Sequence, residues 1–137
     1  MKILATLTLA LAAQTVSAQT QYSADLAESF NTFRGLMARA ERTAAPNKSG
    51  LLGIQTEAFE LQKKLGAIIQ ESAQANLALV RSGEPNDRNL LLISSSADTL
   101  MLGKKFLDYY IYTGDKFFLT QANGAAAMAK TVQAAIK

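Results

Sequence analysis

The chain contains no cysteine, no histidine and no tryptophan, and each absence removes a class of function. Without histidine or cysteine there is no Ser/His/Asp or Cys/His nucleophilic arrangement, no haem-attachment motif and no thiolate or imidazole metal site. A large excess of one charge is missing too: 14 basic residues face 11 acidic ones, a net of +3. The sequence pI of 9.3 nevertheless points at first sight to nucleic acid. With no histidine to buffer the middle range, a small excess of lysine and arginine moves the pI far, whereas a nucleic-acid surface needs its basic residues gathered on one face. Here they are spread from Arg34 to Lys137, so nucleic acid is not an expected partner. There is no Walker loop, dinucleotide fingerprint, calcium loop, internal repeat or low-complexity tract.

Long hydrophobic runs are also scarce. Ile3 to Ala13 is apolar apart from Thr6 and Thr8, but a bilayer span needs about 20 residues, so no stable membrane anchor is expected. That run follows Met1-Lys2 and precedes the small residues Val16-Ser17-Ala18, the pattern of a secretory signal peptide. Residues 1–18 are therefore expected to be removed, leaving one domain, residues 19–137, in the periplasm or secreted. No cysteine follows the signal, so lipid attachment of the bacterial lipoprotein kind is excluded. An exported fold without disulfides must be stabilised by packing, which favours a regular architecture.

The remaining chain reads as all-α, a four-helix up-down-up-down bundle. A first helix is expected from about Ser23, as its cap, to Ala44, with Leu26, Phe30, Phe33, Met37, Ala40 and Ala44 on one face and Pro46 ending it. The second carries the clearest pattern: Leu51, Ile54, Ala58, Leu61, Leu65, Ile68, Ser72, Ala75 and Leu79 alternate by three and four over four heptads. A second stripe of Leu52, Phe59, Ile69, Ala73 and Val80 runs beside it, and two adjacent stripes imply a helix covered on two sides. The first seam suits a homodimer as well. Gly83 and Pro85 close this helix. The third is expected from Asn86 or Asp87 to about Tyr112 with Leu90, Ile93, Ala97, Leu100, Leu107 and Ile111 as its seam. Lys104 interrupts that seam one turn before Asp108. Ser94, Ser95 and Ser96 are small enough for a close neighbour, with hydroxyls able to bond one turn back. The fourth helix, Lys116 to about Ile136, is capped by Asp115 and faces inward with alanines.

Residues 108–120, DYYIYTGDKFFLT, admit two readings. Aromatic and β-branched residues flank Thr113-Gly114-Asp115-Lys116 as in a β-hairpin. Yet the third seam reaches Ile111 in register, Gly114 suits a helix end, and the apolar residues do not alternate. The balance favours helix-turn-helix over hairpin.

Chemistry is thinly supplied. Glu57 and Glu60, like Asp25 and Glu28, are three apart but read as solvated faces, with Glu60 placed to pair with Lys64. The expectation is no enzyme, no metal and no cofactor. Six of the ten aromatic residues fall between Phe106 and Phe118. Their ordinary role is to plug one end of the bundle. Tyr109 and Tyr110 are consecutive, however, and cannot both face the core, so this end is also the candidate binding site: Tyr109, Tyr110, Tyr112 and Phe117, rimmed by Lys105 and Lys116. The expected function is protein–protein binding, of an adaptor, inhibitor, immunity or chaperone type. The alternative is a small amphiphilic ligand held in the bundle core beneath those aromatics.

Overall fold

The computed structural model describes the backbone of residues 2–43 and 48–137 and the side chains of residues 19–43 and 50–137. The chain is all-helical: α1 (Lys2–Arg42), α2 (Lys48–Arg81), α3 (Arg88–Thr113) and α4 (Lys116–Ala134), with no strand among the described residues. Residues 108–120 are thus helix, turn and helix, not a hairpin.

Local chemistry explains most boundaries. At the end of α2, Gly83 takes a left-handed φ of 83°. Its N–H reaches the Val80 carbonyl at 3.1 Å and the Glu84 N–H reaches the Leu79 carbonyl at 2.9 Å, which satisfies two carbonyls the helix leaves open. Asp87 caps α3 by accepting from the Leu90 N–H at 2.9 Å. Gly114, at φ 71°, closes α3 with a 2.7 Å bond from its N–H to the Tyr110 carbonyl, and Asp115 caps α4 by accepting from the Phe117 N–H at 2.9 Å. The expected start of the first helix is corrected. Ser23 lies inside α1, because no glycine or proline occurs before Gly35 to end a helical run. The expected end at Ala44 to Pro46 lies outside the described residues, and so do the side chains of the proposed signal peptide.

Most of the three-four seam residues are buried as their spacing requires, while Ala75 and Ile111 are only partly buried and Ala44 lies outside the described residues. Phe33, Leu36, Ile54, Leu65, Ile93, Leu100 and Leu107 have almost no exposed surface, and each such side chain contributes about 1.5–3 kcal/mol of burial free energy. Both α1 and α3 touch all three other helices, whereas α2 and α4 do not touch each other among the described residues. The approach of α3 to α1 and α4 is tightest at Gly103. A Cβ there would lie 3.0 Å from Phe33 Cζ and 3.3 Å from Ala125 Cβ. Two turns earlier, buried Ser96 donates to the Ala129 carbonyl of α4 at 2.8 Å, across the interface and not one turn back along its own helix. Small residues on both sides, Gly103 and Ser96 against Ala125 and Ala129, let the two backbones come close.

Polar clasps tie the ends together. Asn76, buried in α2, accepts from the Asp87 N–H at 2.7 Å and donates to Asn86 at 3.0 Å, while Gln19 of α1 donates to Asp87 Oδ2 at 2.6 Å. Elsewhere α1 and α2 are joined by Arg39–Glu57 (2.6 Å) and Glu28–Lys64 (2.7 Å). Glu60 therefore pairs with Lys63 at 2.9 Å in place of the expected Lys64, whose ammonium is engaged by α1.

The two kinds of helical glycine should respond oppositely to alanine. Gly103→Ala is expected to lower stability by about 1–2 kcal/mol, because overpacking against a fully buried ring outweighs the gain in helix propensity. Gly35 is exposed with nothing near its Cβ position, so Gly35→Ala should raise stability by about 1 kcal/mol. Urea denaturation midpoints of the two variants against the parent check both signs.

Candidate functional site

The α3–α4 turn carries the aromatic cluster, and helical phase sorts its members. Tyr110 lies three residues beyond Leu107 on the inward side of α3 and is 5% exposed, with its hydroxyl a long 3.5 Å from the Ala40 carbonyl of α1. It belongs to the core, so its assignment to an exposed binding site is corrected. Tyr109, turned about 100° away by the helix, is 54% exposed, and Tyr112, three residues on, is 91% exposed. Phe117, in the first turn of α4, is 58% exposed.

Phe118 holds two of these rings in place. It is partly buried against the core, and its ring centroid is 5.3 Å from Tyr109 and 5.5 Å from Phe117, the latter edge-on at 73°. Such pairs contribute about 0.5–1.5 kcal/mol beyond burial, so Tyr109 and Phe117 are positioned rings. Lys105 and Lys116 are exposed and take part in no ion pair among the described residues. Of the six expected site residues, the structure leaves five on the surface: Tyr109, Tyr112, Phe117, Lys105 and Lys116.

A different residue stands out where the sequence suggested only an interruption. Lys104 is buried, and its ammonium donates to Gln62 Oε1 of α2 at 2.6 Å and to Asp108 Oδ2 at 2.5 Å. Asp108 is a third exposed as a side chain, yet its Oδ1 is itself inaccessible and accepts no hydrogen bond among the described residues. The ammonium is neutralised in place, and Gln62 fixes which turn of α2 it meets. The arrangement joins α3 to α2.

The acidic pairs flagged by spacing are dispersed. Asp25 accepts from Gln21 at 3.1 Å, while Glu28, Glu57 and Glu60 each face a different cation. No group of three acidic side chains capable of holding a metal occurs among the described residues. Burial raises the pKa of the Tyr22 hydroxyl, and the Glu71 and Asp25 carboxylates push it further up, which keeps this phenol protonated. The core-ligand expectation asks for a cavity beneath the aromatic end. Of the concavities among the described residues, one of about 500 Å³ is lined by Gln19, Ser23, Asn89, Gln133 and Ile136, and one of about 670 Å³ by Gln74, Leu77, Ala78 and Arg81. Both are open at the surface, and no residue of 105–118 lines either. Among the described residues no helix is long and apolar enough to cross a membrane.

No protein-family model matches this chain, and no curated protein or solved structure matches it either.

Truncation should separate core from surface within this cluster. Tyr110→Ala is expected to cost about 3 kcal/mol or more, while Tyr112→Ala should stay within about 0.5 kcal/mol of the parent and Tyr109→Ala should lose about 1 kcal/mol with the Phe118 contact. At the buried pair, Asp108→Ala should cost more than Lys104→Met, because the first leaves an ammonium without its counter-charge and the second replaces it with an apolar side chain of similar length. Equilibrium denaturation of the five variants measures each difference.

Proposed function

We propose that this chain is an exported, non-enzymatic helical bundle that acts by binding another protein through the rings at its α3–α4 turn. In this reading residues 1–18 are removed, residues 19–137 form an up-down-up-down bundle, and the product works in the periplasm or beyond it. The observation that carries the proposal is the exposure of Tyr109, Tyr112 and Phe117 about a turn that is capped at both helix ends, with Tyr109 and Phe117 both held against Phe118. Large rings held rigidly at a surface bind at low entropic cost, since little rotamer freedom remains to be lost. Lys105 and Lys116 beside them favour a partner that brings acidic groups to the rim of an apolar contact. The absence of histidine and cysteine, and the engagement of Glu28, Glu57 and Glu60 in separate ion pairs, support the non-enzymatic part.

Photo-crosslinking in the producing cells tests this reading. A photoreactive phenylalanine at position 112 or 117 should give one adduct of defined mass, and the same probe at exposed position 130 should not. Equal labelling at all three positions would remove the patch. Native mass spectrometry of the recovered protein addresses the remaining parts. The mass of residues 19–137 supports export, an intact residue 1 removes it, and a retained small molecule would replace protein binding with the amphiphile-binding alternative.

A further inference from the structure

Apart from Ile69, which packs against the core, the second apolar stripe of α2 is not covered by the fold. Two adjacent stripes led to the expectation of cover on both sides, but Leu52, Phe59, Leu77 and Val80 remain about half exposed, and Ala73 is exposed. The reason is topological: α1 and α3 cover the first seam, and α4 makes no contact with α2. Leu52, Phe59, Gly66, Ala73 and Val80 are seven residues apart, just under two helical turns each, so they form one flank about 42 Å long that winds by about 20° per heptad, as a left-handed supercoiled pairing requires. At its midpoint Gly66 has open space where a side chain would project.

We infer that this line is a homodimer interface in which α2 of two copies pack antiparallel about a two-fold axis at Gly66. The order of sizes along the line selects that occupant. Antiparallel pairing about Gly66 sets Leu52 of each copy opposite Val80 of the other, and Phe59 opposite Ala73. The largest ring then meets the smallest apolar side chain, and the two glycines meet where the backbones cross. Leu77 widens each of the two identical apolar ends. A patch that fits itself in this way is what an isologous contact requires. A strip about 42 Å long and about 10 Å wide buries about 840 Å² over both copies, the size of a weak, reversible contact and in keeping with a dimer that forms at micromolar concentration. Electrostatics do not oppose it near the axis. Glu57 and Lys64 are engaged by Arg39 and Glu28 of α1, and Lys63, which lies 4.8 Å over the Phe59 ring, is neutralised by Glu60.

Because the chain has no cysteine of its own, single cysteines report the geometry directly. At an interaxial distance of about 8–10 Å, facing residues at a glycine crossing bring their Cα atoms within disulfide range, so Gly66→Cys should form a linked dimer on oxidation. Leu52→Cys should not, since its own copy lies about 42 Å away along the strip. Sedimentation velocity of the protein as its host produces it, over about 1–100 μM, should show a concentration-dependent dimer. Phe59→Glu should weaken that dimer at least tenfold while leaving the circular dichroism spectrum unchanged, and Tyr112→Ala should not affect it. A monomer throughout this range, or a Leu52→Cys variant that links as readily as Gly66→Cys, overturns the proposal and leaves the stripe to a different occupant.

Discussion

The fold depends on α3 approaching α1 and α4 at the same level of the bundle, and Gly103 is the residue that makes this approach geometrically available. Phe33 lies within 3.0 Å of the position a Cβ would take, and Ala125 lies within 3.3 Å. A helix that touches three others cannot present a large side chain toward each of them at one height without pushing at least one away. The alanines of α4 and the hydroxyl of Ser96 follow from the same constraint. With small residues facing small residues, the backbone of α4 comes near enough for Ser96 to reach the Ala129 carbonyl. A chain with no disulfide gains its rigidity from this contact density.

Close packing alone leaves the helices free to slide by a turn, because leucine and alanine recur at similar steps on every seam. Polar groups remove that freedom. Lys104, paired with Asp108 on its own helix, finds Gln62 only in one register of α3 on α2, and Asn76 finds the Asp87 amide only when the α2–α3 turn is closed as observed. Gln19 reaches the same Asp87 from α1, so the cap of one helix also locates the beginning of the described core. The net energy of a buried ion pair is small or unfavourable relative to apolar residues of the same volume; within α3, Asp108 balances the Lys104 charge, and the bond to Gln62 is what ties it to one turn of α2.

Much of this was legible from spacing and end chemistry. The seams of α2 and α3, the glycines at 83 and 114 and the aspartates at 87 and 115 each have a local physical meaning that tertiary context did not override. What was not legible depended on neighbours. Ser23 looked like a cap because acidic residues follow it, yet nothing before it stops a helix. Periodicity ended the α3 seam at Ile111, and only the position of α1 near Ala40 makes Tyr110 the more deeply buried of the two. Lys104 appeared as an interruption since its partner Gln62 is 42 residues away in sequence. The second stripe of α2 was visible as apolar, but the sequence contains no sign of which helix lies diagonally across from it.

That diagonal has a consequence for how the surface divides. Four helices around one core give each helix two neighbours along the sides, and only the α1–α3 diagonal is drawn together here, so α2 and α4 are held apart. The helix held outward keeps an exposed flank, and α2 is the one whose flank is apolar. The aromatic turn is exposed for a different reason: Phe118 uses its contact with the core to display Tyr109 and Phe117 on either side. One surface is left by the topology of the bundle and the other is built by a buried ring at its end. A change that repacks the diagonal should disturb the first and spare the second, so the two surfaces can be occupied separately.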